Sequence, residues 1–362
     1  MFKELSYYKP CFKEVVERFE NFYSAVDKGS TGNFIYRALL DSDMALYRNI
    51  KLNKYNFDND MDIDRYTEDL IKETEKVYEA RKDVSDDTLP NIFPVLGIGD
   101  YSAFVEGEII FGEDTSWSQP ILKRLEDWRC LQEIGNSKWY KKFMIISEKL
   151  MENVKSSGIP YMRGFFSPLD LAHALRGEAI YTDFFDDPDE VHRFLNFCAE
   201  STIKFAEDLK SRVYKYLGDT EYGTYFFQDG INMSEDIACM ISPELYGEFE
   251  APYTQKVMDH FGNGFLHCHS RALYIVPELC KLRNVKNIWI ATDPNQTEPI
   301  NVLKDLIAKS NNVCLSIDCK SFEMIEKNME IAKEGNVAFC TLVESIEQAN
   351  RNTDFIRKHS RC

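Results

Sequence analysis

From residue 91 onward the chain alternates between short apolar runs and longer stretches in which apolar residues return every three or four positions. The runs are NIFPVLGIG (91–99), IPYMRGFFS (159–167), GTYFFQD (223–229), NGFLHCH (263–269), VKNIWIAT (285–292), NVCLSID (312–318) and NVAFCTLVE (336–344). Between them lie segments such as DPDEVHRFLNFCAESTIKFAEDLKSRVYKYL, SPELYGEFEAPYTQKVMDHFG and FEMIEKNMEIAKEG, which have the period of a helix. Several open on Ser, Asp or Pro, the residues that cap or start helices. Near-continuous apolar strands are those buried on both faces, so the pattern predicts a parallel sheet covered by helices. Seven strand–helix alternations, with no GxGxxG or Walker-type glycine loop after any strand, favour a (β/α)8 TIM barrel over an open doubly wound sheet.

Residues 1–90 read differently. They are charged and aromatic, with helical patterning at PCFKEVVERFENFYSAV and DIDRYTEDLIKETEKVYEARK. The expectation is an N-terminal helical extension, 1–90, packed on a barrel formed by 91–362, where it covers an end, contributes to the mouth or builds a homodimer contact. Within it, DNDMDIDRYTED spaces acids like a calcium loop, but Ile63 and Asp69 stand where an EF-hand needs Gly and Glu. The acids suit a helix N-terminus instead.

Composition narrows the partners. A net charge of −17 repels nucleic-acid phosphates and anionic lipid, which argues against both. With 44% hydrophobic and 13% aromatic residues a large core is available. The ten cysteines are scattered inside apolar segments without CxxC spacing, a pattern of buried free thiols in a reducing compartment. The N-terminus lacks a signal-peptide core and no apolar run is long enough to span a bilayer, so the expected location is cytoplasmic.

A barrel carries its chemistry at the C-terminal ends of its strands. Those ends offer Asp100, Ser167, Gln228, Asp229, His267, His269, Asp293, Asp318, Cys319 and Glu344. Asp and Ser there can simply cap helices, and Asp293 in TDPN and Asp318 in IDCKS look like turn residues. The histidines fit that role less well. His267 and His269 are two apart on a strand and so share a face, where they could hold a metal, grip an anion or sit at the surface. Gln228 and Asp229, at the end of the preceding run, are the catalytic candidates, the Asp229 carboxylate placed to act as acid or base or to fix a histidine tautomer. Tyr225 on that run faces substrate or packs the barrel. Arg163, alone in an apolar strand, requires a carboxylate partner from the protein or a substrate.

The segment FFQDGINMSEDIACMISPELYGEFEAPYTQKVMDHFGNGFLHCHS resembles the uroporphyrinogen decarboxylase superfamily: an acidic residue after a strand, an SPE-(Y/F)-x-x-F-x-x-P-(Y/F) stretch, a helix and a strand ending in His. GFFSPLDLAHALRGEAIYTDFFDDPDEVHRFL is similar to that superfamily's Gly-x-x-x-Pro strand end and following helix, and the resemblance spans roughly residues 90–358. It implies a (β/α)8 barrel. The arginine-bearing N-terminal loop and FSDI strand end of true uroporphyrinogen decarboxylases are missing; the matching region reads LPNIFPVLGIGDYSAFVEG. The chain therefore resembles more closely the cobalamin-dependent methyltransferase branch, which moves a methyl group between a corrinoid protein and a thiol over a zinc held by His-x-Cys and a later Cys. That resemblance implies zinc on His267, His269 and Cys340, with His269 where the branch has Cys and Ser270 where it has Gly. Asp229 and Glu344 are oxygen-donor alternatives to Cys340. The resemblance also implies a corrinoid, on a partner protein, as cofactor; from their places on the strands, Arg163, Tyr225, Asp293, Asp318 and Glu344 are the candidates to line the substrate. The alternative is metal-free binding or decarboxylation of a small acid in the same mouth.

Overall fold

The computed structural model describes residues 2–132, 134–218 and 230–362. Its centre is a seven-stranded sheet, every pair parallel, flanked by helices. In chain order the strands are β1 (Asn33–Leu39), the hairpin pair β2 (Glu108–Phe111) and β3 (Ser116–Gln119), then β4 (Phe165–Phe166), β5 (Ile231–Ser234), β6 (Gly264–His269), β7 (Val285–Ala291), β8 (Cys314–Cys319) and β9 (Asn336–Leu342). The main sheet runs β1-β9-β8-β7-β6-β5-β4, while β2 and β3 form a separate antiparallel hairpin. Strands β6 to β9 fall where the apolar runs predicted them.

One departure matters. The segment 1–90 does not only pack on the sheet: NFIYRAL forms β1, in register with all of β9 from Asn33↔Asn336 to Leu39↔Leu342. Arg37 interrupts its apolar run and helical segments flank it, which hides the strand in the sequence pattern. β5 follows at Ile231–Ser234; the run 223–229 expected to be a strand, with Tyr225, Gln228 and Asp229, lies outside the described residues. The run 91–99 makes one parallel bridge, Ile92 with Tyr161. Beside it, Asp87 N donates to Tyr36 O of β1 at 2.9 Å, and Met162 N donates to Ile92 O at 2.9 Å. Residues 87–92 thus touch β1 on one side and the approach to β4 on the other.

The helix Phe12–Asp27 explains which end of the sheet carries chemistry. Its buried residues Val15, Phe19, Phe22, Tyr23 and Val26 follow helical spacing along one face. They pack with Ile35, Phe265, Cys314 and Ala338, which lie in the first halves of their strands. Two fully buried phenylalanines there contribute about 2–3 kcal/mol each, so the N-terminal end of the sheet is stably plugged. Arg18 of this helix ties it down through Asp87 at 2.9 Å. The C-terminal strand ends remain for the site. The helix Asp60–Arg81 begins as its acids suggested, with Asn59 accepting from Met61 N and Asp60 and Asp62 in the first turn. All ten cysteines are free thiols, and six are buried. Among the described residues no helix is long and apolar enough to cross a membrane.

Candidate metal centre

Strand β6 sets the geometry. Its alternation sends Leu266 and Cys268 into the core and leaves His267 and His269 half-buried on the other face, their ring centroids 4.9 Å apart. The neighbouring strand supplies a carboxylate. Ser234 of β5 pairs with His267, and two residues on, past the strand end, Asp236 arrives on the same face. Asp236 Oδ1 lies 3.2 Å from His269 Nε2 and 3.6 Å from His267 Nε2. Among the described residues this trio is the group of His, Cys, Asp or Glu donors that converges, its ligand atoms all within 4.8 Å of one another.

Each donor is held from behind. The buried Asp170, in the first turn of helix Pro168–Arg176, accepts from the Asp236 and Ile237 amides at 3.2 and 2.9 Å and from the Ser234 hydroxyl. This fixes the backbone that carries Asp236. Asp293, after β7, accepts from His269 Nδ1 at 2.9 Å and from the Arg271 amide at 3.0 Å, while its own amide donates to Ser270 Oγ at 2.8 Å. His267 packs against the Trp289 ring at 4.4 Å, and the Trp289 indole donates to Asp318 Oδ2 at 3.1 Å.

The electrostatics split the two imidazoles. His269 is pushed up to about 9, chiefly by Asp236 and further by Asp293, with partial burial opposing. Of the two carboxylates Asp293 makes the better-formed hydrogen bond; the approach of Asp236 Oδ1 lacks hydrogen-bond geometry, and that atom is buried without a partner. Burial drives His267 below its usual value despite Asp236 nearby. Burial also works against the charge on Asp293, yet the Arg271 amide and His269 hold its carboxyl below the ordinary range. The His269 imidazolium and the Arg271 guanidinium, 3.7 Å from Asp293 Oδ2, offset the two carboxylates, and the negative charge nearest the two Nε2 atoms is that of Asp236.

The donor set fits a metal. A tetrahedral zinc with bonds of 2.0–2.2 Å to N and O separates its ligands by about 3.3 Å, close to the distances from Asp236 Oδ1 to the two Nε2 atoms. A buried carboxylate oxygen that faces two ring nitrogens and makes an ion-pair approach to one of them without a hydrogen bond is an arrangement a cation completes.

The sequence-derived candidates sort as follows. His267 and His269 converge as expected. Asp236, not Cys340, is the third member of the converging group: Cys340 is buried outside it beside Asp318, and burial pushes its thiol up to about 12. Asp293 opens a turn, its carbonyl accepting from the Gln296 amide at 3.3 Å, and its carboxylate is the acceptor for His269 Nδ1. Asp318 accepts from Trp289, and burial raises its carboxyl. Arg163 pairs with the buried Asp100 at 2.9 Å and packs over Phe143, so its carboxylate partner is the protein's own. Glu344 is exposed and outside the donor group. Ser167 caps the helix Pro168–Arg176 through the Asp170 amide. The residues missed were Asp236 and Asp170. The signal for Asp236 was the period-two series Asn232, Ser234, Asp236, visible once the strand is placed at 231–234.

The chain matches no protein-family model, and no curated protein is significantly similar to it.

Proposed function

We propose that the chain is a (β/α)8 barrel enzyme, closed through residues 87–92, whose Asp236, His267 and His269 hold a zinc ion for methyl transfer between a corrinoid and a small thiol or methylated compound. The observation that carries the metal reading is Asp236 Oδ1, buried, without a hydrogen bond and aimed at two imidazole nitrogens. The methyl-transfer reading rests on the sequence resemblance. Two histidines and a carboxylate are a normal catalytic zinc set that leaves one position open for substrate. Zinc bound there supplies a Lewis acid that favours deprotonation of an incoming thiol at neutral pH.

The protein's own residues do the rest. Asp236 provides the negative charge that offsets part of the cation's. His267, kept neutral by burial, offers a lone pair without first losing a proton. Asp170 holds the Asp236 turn in place through two amide hydrogen bonds. A site of two imidazoles and one carboxylate donates less electron density than a thiolate-rich one, so a thiolate there is a weaker nucleophile. The Asp236 carboxylate between the two imidazoles speaks against the alternative of metal-free anion binding or decarboxylation of a small acid.

The test is to incubate zinc-loaded protein with methylcobalamin and a panel of small thiols and to follow loss of the methylcobalamin absorbance. Thiol-dependent demethylation that disappears in Asp236→Ala supports the reading. Its absence across the panel, with zinc bound and the protein folded, refutes methyl transfer to thiols.

A further inference from the structure

We infer that Asp293 is a positioning residue, which fixes the tautomer and ring orientation of His269 so that Nε2 presents its lone pair beside Asp236. The inference rests on the metal reading above and deepens it. A neutral imidazole carries one N–H, and which nitrogen bears it is decided by the partner of the other. His269 Nδ1 lies 2.9 Å from Asp293 Oδ1, so when the ring gives up one proton to a metal the remaining one is held on Nδ1 and Nε2 is left to face the metal beside Asp236. Asp293 is itself immobilised. Its Oδ2 accepts from the Arg271 amide at 3.0 Å, its own amide donates to Ser270 Oγ at 2.8 Å, and its side chain is 10% exposed. The anchors Ser270 and Arg271 directly follow His269 in the chain, so the carboxylate is locked to the strand end whose histidine it orients. His267 has no carboxylate of this kind behind it: its Nδ1 is buried, with the Trp289 backbone beside it. The two imidazoles are therefore unequal, one aligned in advance through Asp293 and one placed by packing against Trp289.

An oriented carboxylate behind a ligating histidine typically contributes about 10–100-fold to metal affinity. The experiment measures zinc affinity by chelator competition for the wild type, D293A and D293N, with thermal melts of each. It also reads His269 nitrogen chemical shifts in the zinc-loaded proteins. The expected order is wild type, then D293N, which keeps an oxygen acceptor but not the charge, then D293A, weaker by roughly 10–100-fold. His269 should show Nδ1–H in the wild type and lose that fixed signature in D293A. A folded D293A that binds zinc within twofold of the wild type overturns the inference and leaves the metal site standing. If D293A does not fold, D293N binding as tightly as the wild type overturns it equally. A wild type that binds no zinc removes the metal reading itself.

Discussion

Zinc entering the site at pH 7 has to displace the proton that His269 carries. In the metal-free protein His269 is held up to about 9 by Asp236 and Asp293, whereas burial keeps His267 below its usual value and already neutral. At pH 7 about one His269 in 100 is deprotonated, so apparent zinc affinity should be about 100-fold weaker than above pH 9. Between pH 6 and 8 affinity should rise about tenfold per pH unit, the slope of one linked proton. The assay is isothermal titration calorimetry in buffers of different ionisation enthalpy, which counts protons released per zinc. One proton per zinc is expected at pH 7, falling to about half near pH 9 and toward none above it. Asp293→Ala removes one of the groups that raise His269, so its release should begin to fall at a lower pH. A count near zero at pH 7 would refute the imidazolium assignment for His269, and a count near two would refute the neutral assignment for His267.

Three further expectations concern the scaffold. Burial raises Glu250 to about 7, against opposing hydrogen bonds from the Leu169 amide, Ser167 and Thr254. Its carboxyl stays protonated in the folded chain where the unfolded chain has already ionised, so stability is lost as pH rises from about 4.5 through 7. Glu250→Gln should therefore gain roughly 2–3 kcal/mol relative to wild type at pH 8 over pH 4, read by urea unfolding at both pH values; an equal difference at both would contradict this. Asp86, fully buried, takes hydrogen bonds from Lys9 at 2.8 Å, Arg81 at 3.0 Å and the Ala38 amide of β1 at 2.9 Å. Asp86→Ala leaves the buried Lys9 ammonium without its carboxylate and should cost about 3–5 kcal/mol; a loss under 1 kcal/mol in urea unfolding would contradict it. Gly97 has φ +79°, and a Cβ there would meet the Ser116 amide nitrogen of β3. Gly97→Ala should displace the β2–β3 hairpin and speed its proteolysis, while unchanged cleavage kinetics would argue against the close approach.

Much of the sheet was legible because strands buried on both faces write themselves as unbroken apolar runs. VKNIWIA and NVAFCTL needed nothing beyond their own composition. β1 was hidden because Arg37 breaks its run, and its place in the sheet depends on pairing with β9, about 300 residues away in sequence. The two histidines were legible through period two alone. Asp236 was not: it follows the short, polar INMS of β5, which no apolar run marks in the sequence. Cys340 looked like a ligand through resemblance, but its burial against Asp318 depends on neighbouring strands that no local pattern reveals. The role of Asp293 likewise arises only when β6 and β7 lie side by side, Ala291 opposite His269.

The most direct test of the account is metal analysis of protein purified without a metal-affinity tag or chelator, then equilibrated with zinc and desalted, beside Asp236→Ala and a His267→Ala, His269→Ala double variant. The account predicts about one zinc per wild-type chain and a loss of stoichiometric zinc in both variants, with each variant still folded. A folded wild type that retains no zinc, or variants that retain as much as wild type, would contradict it.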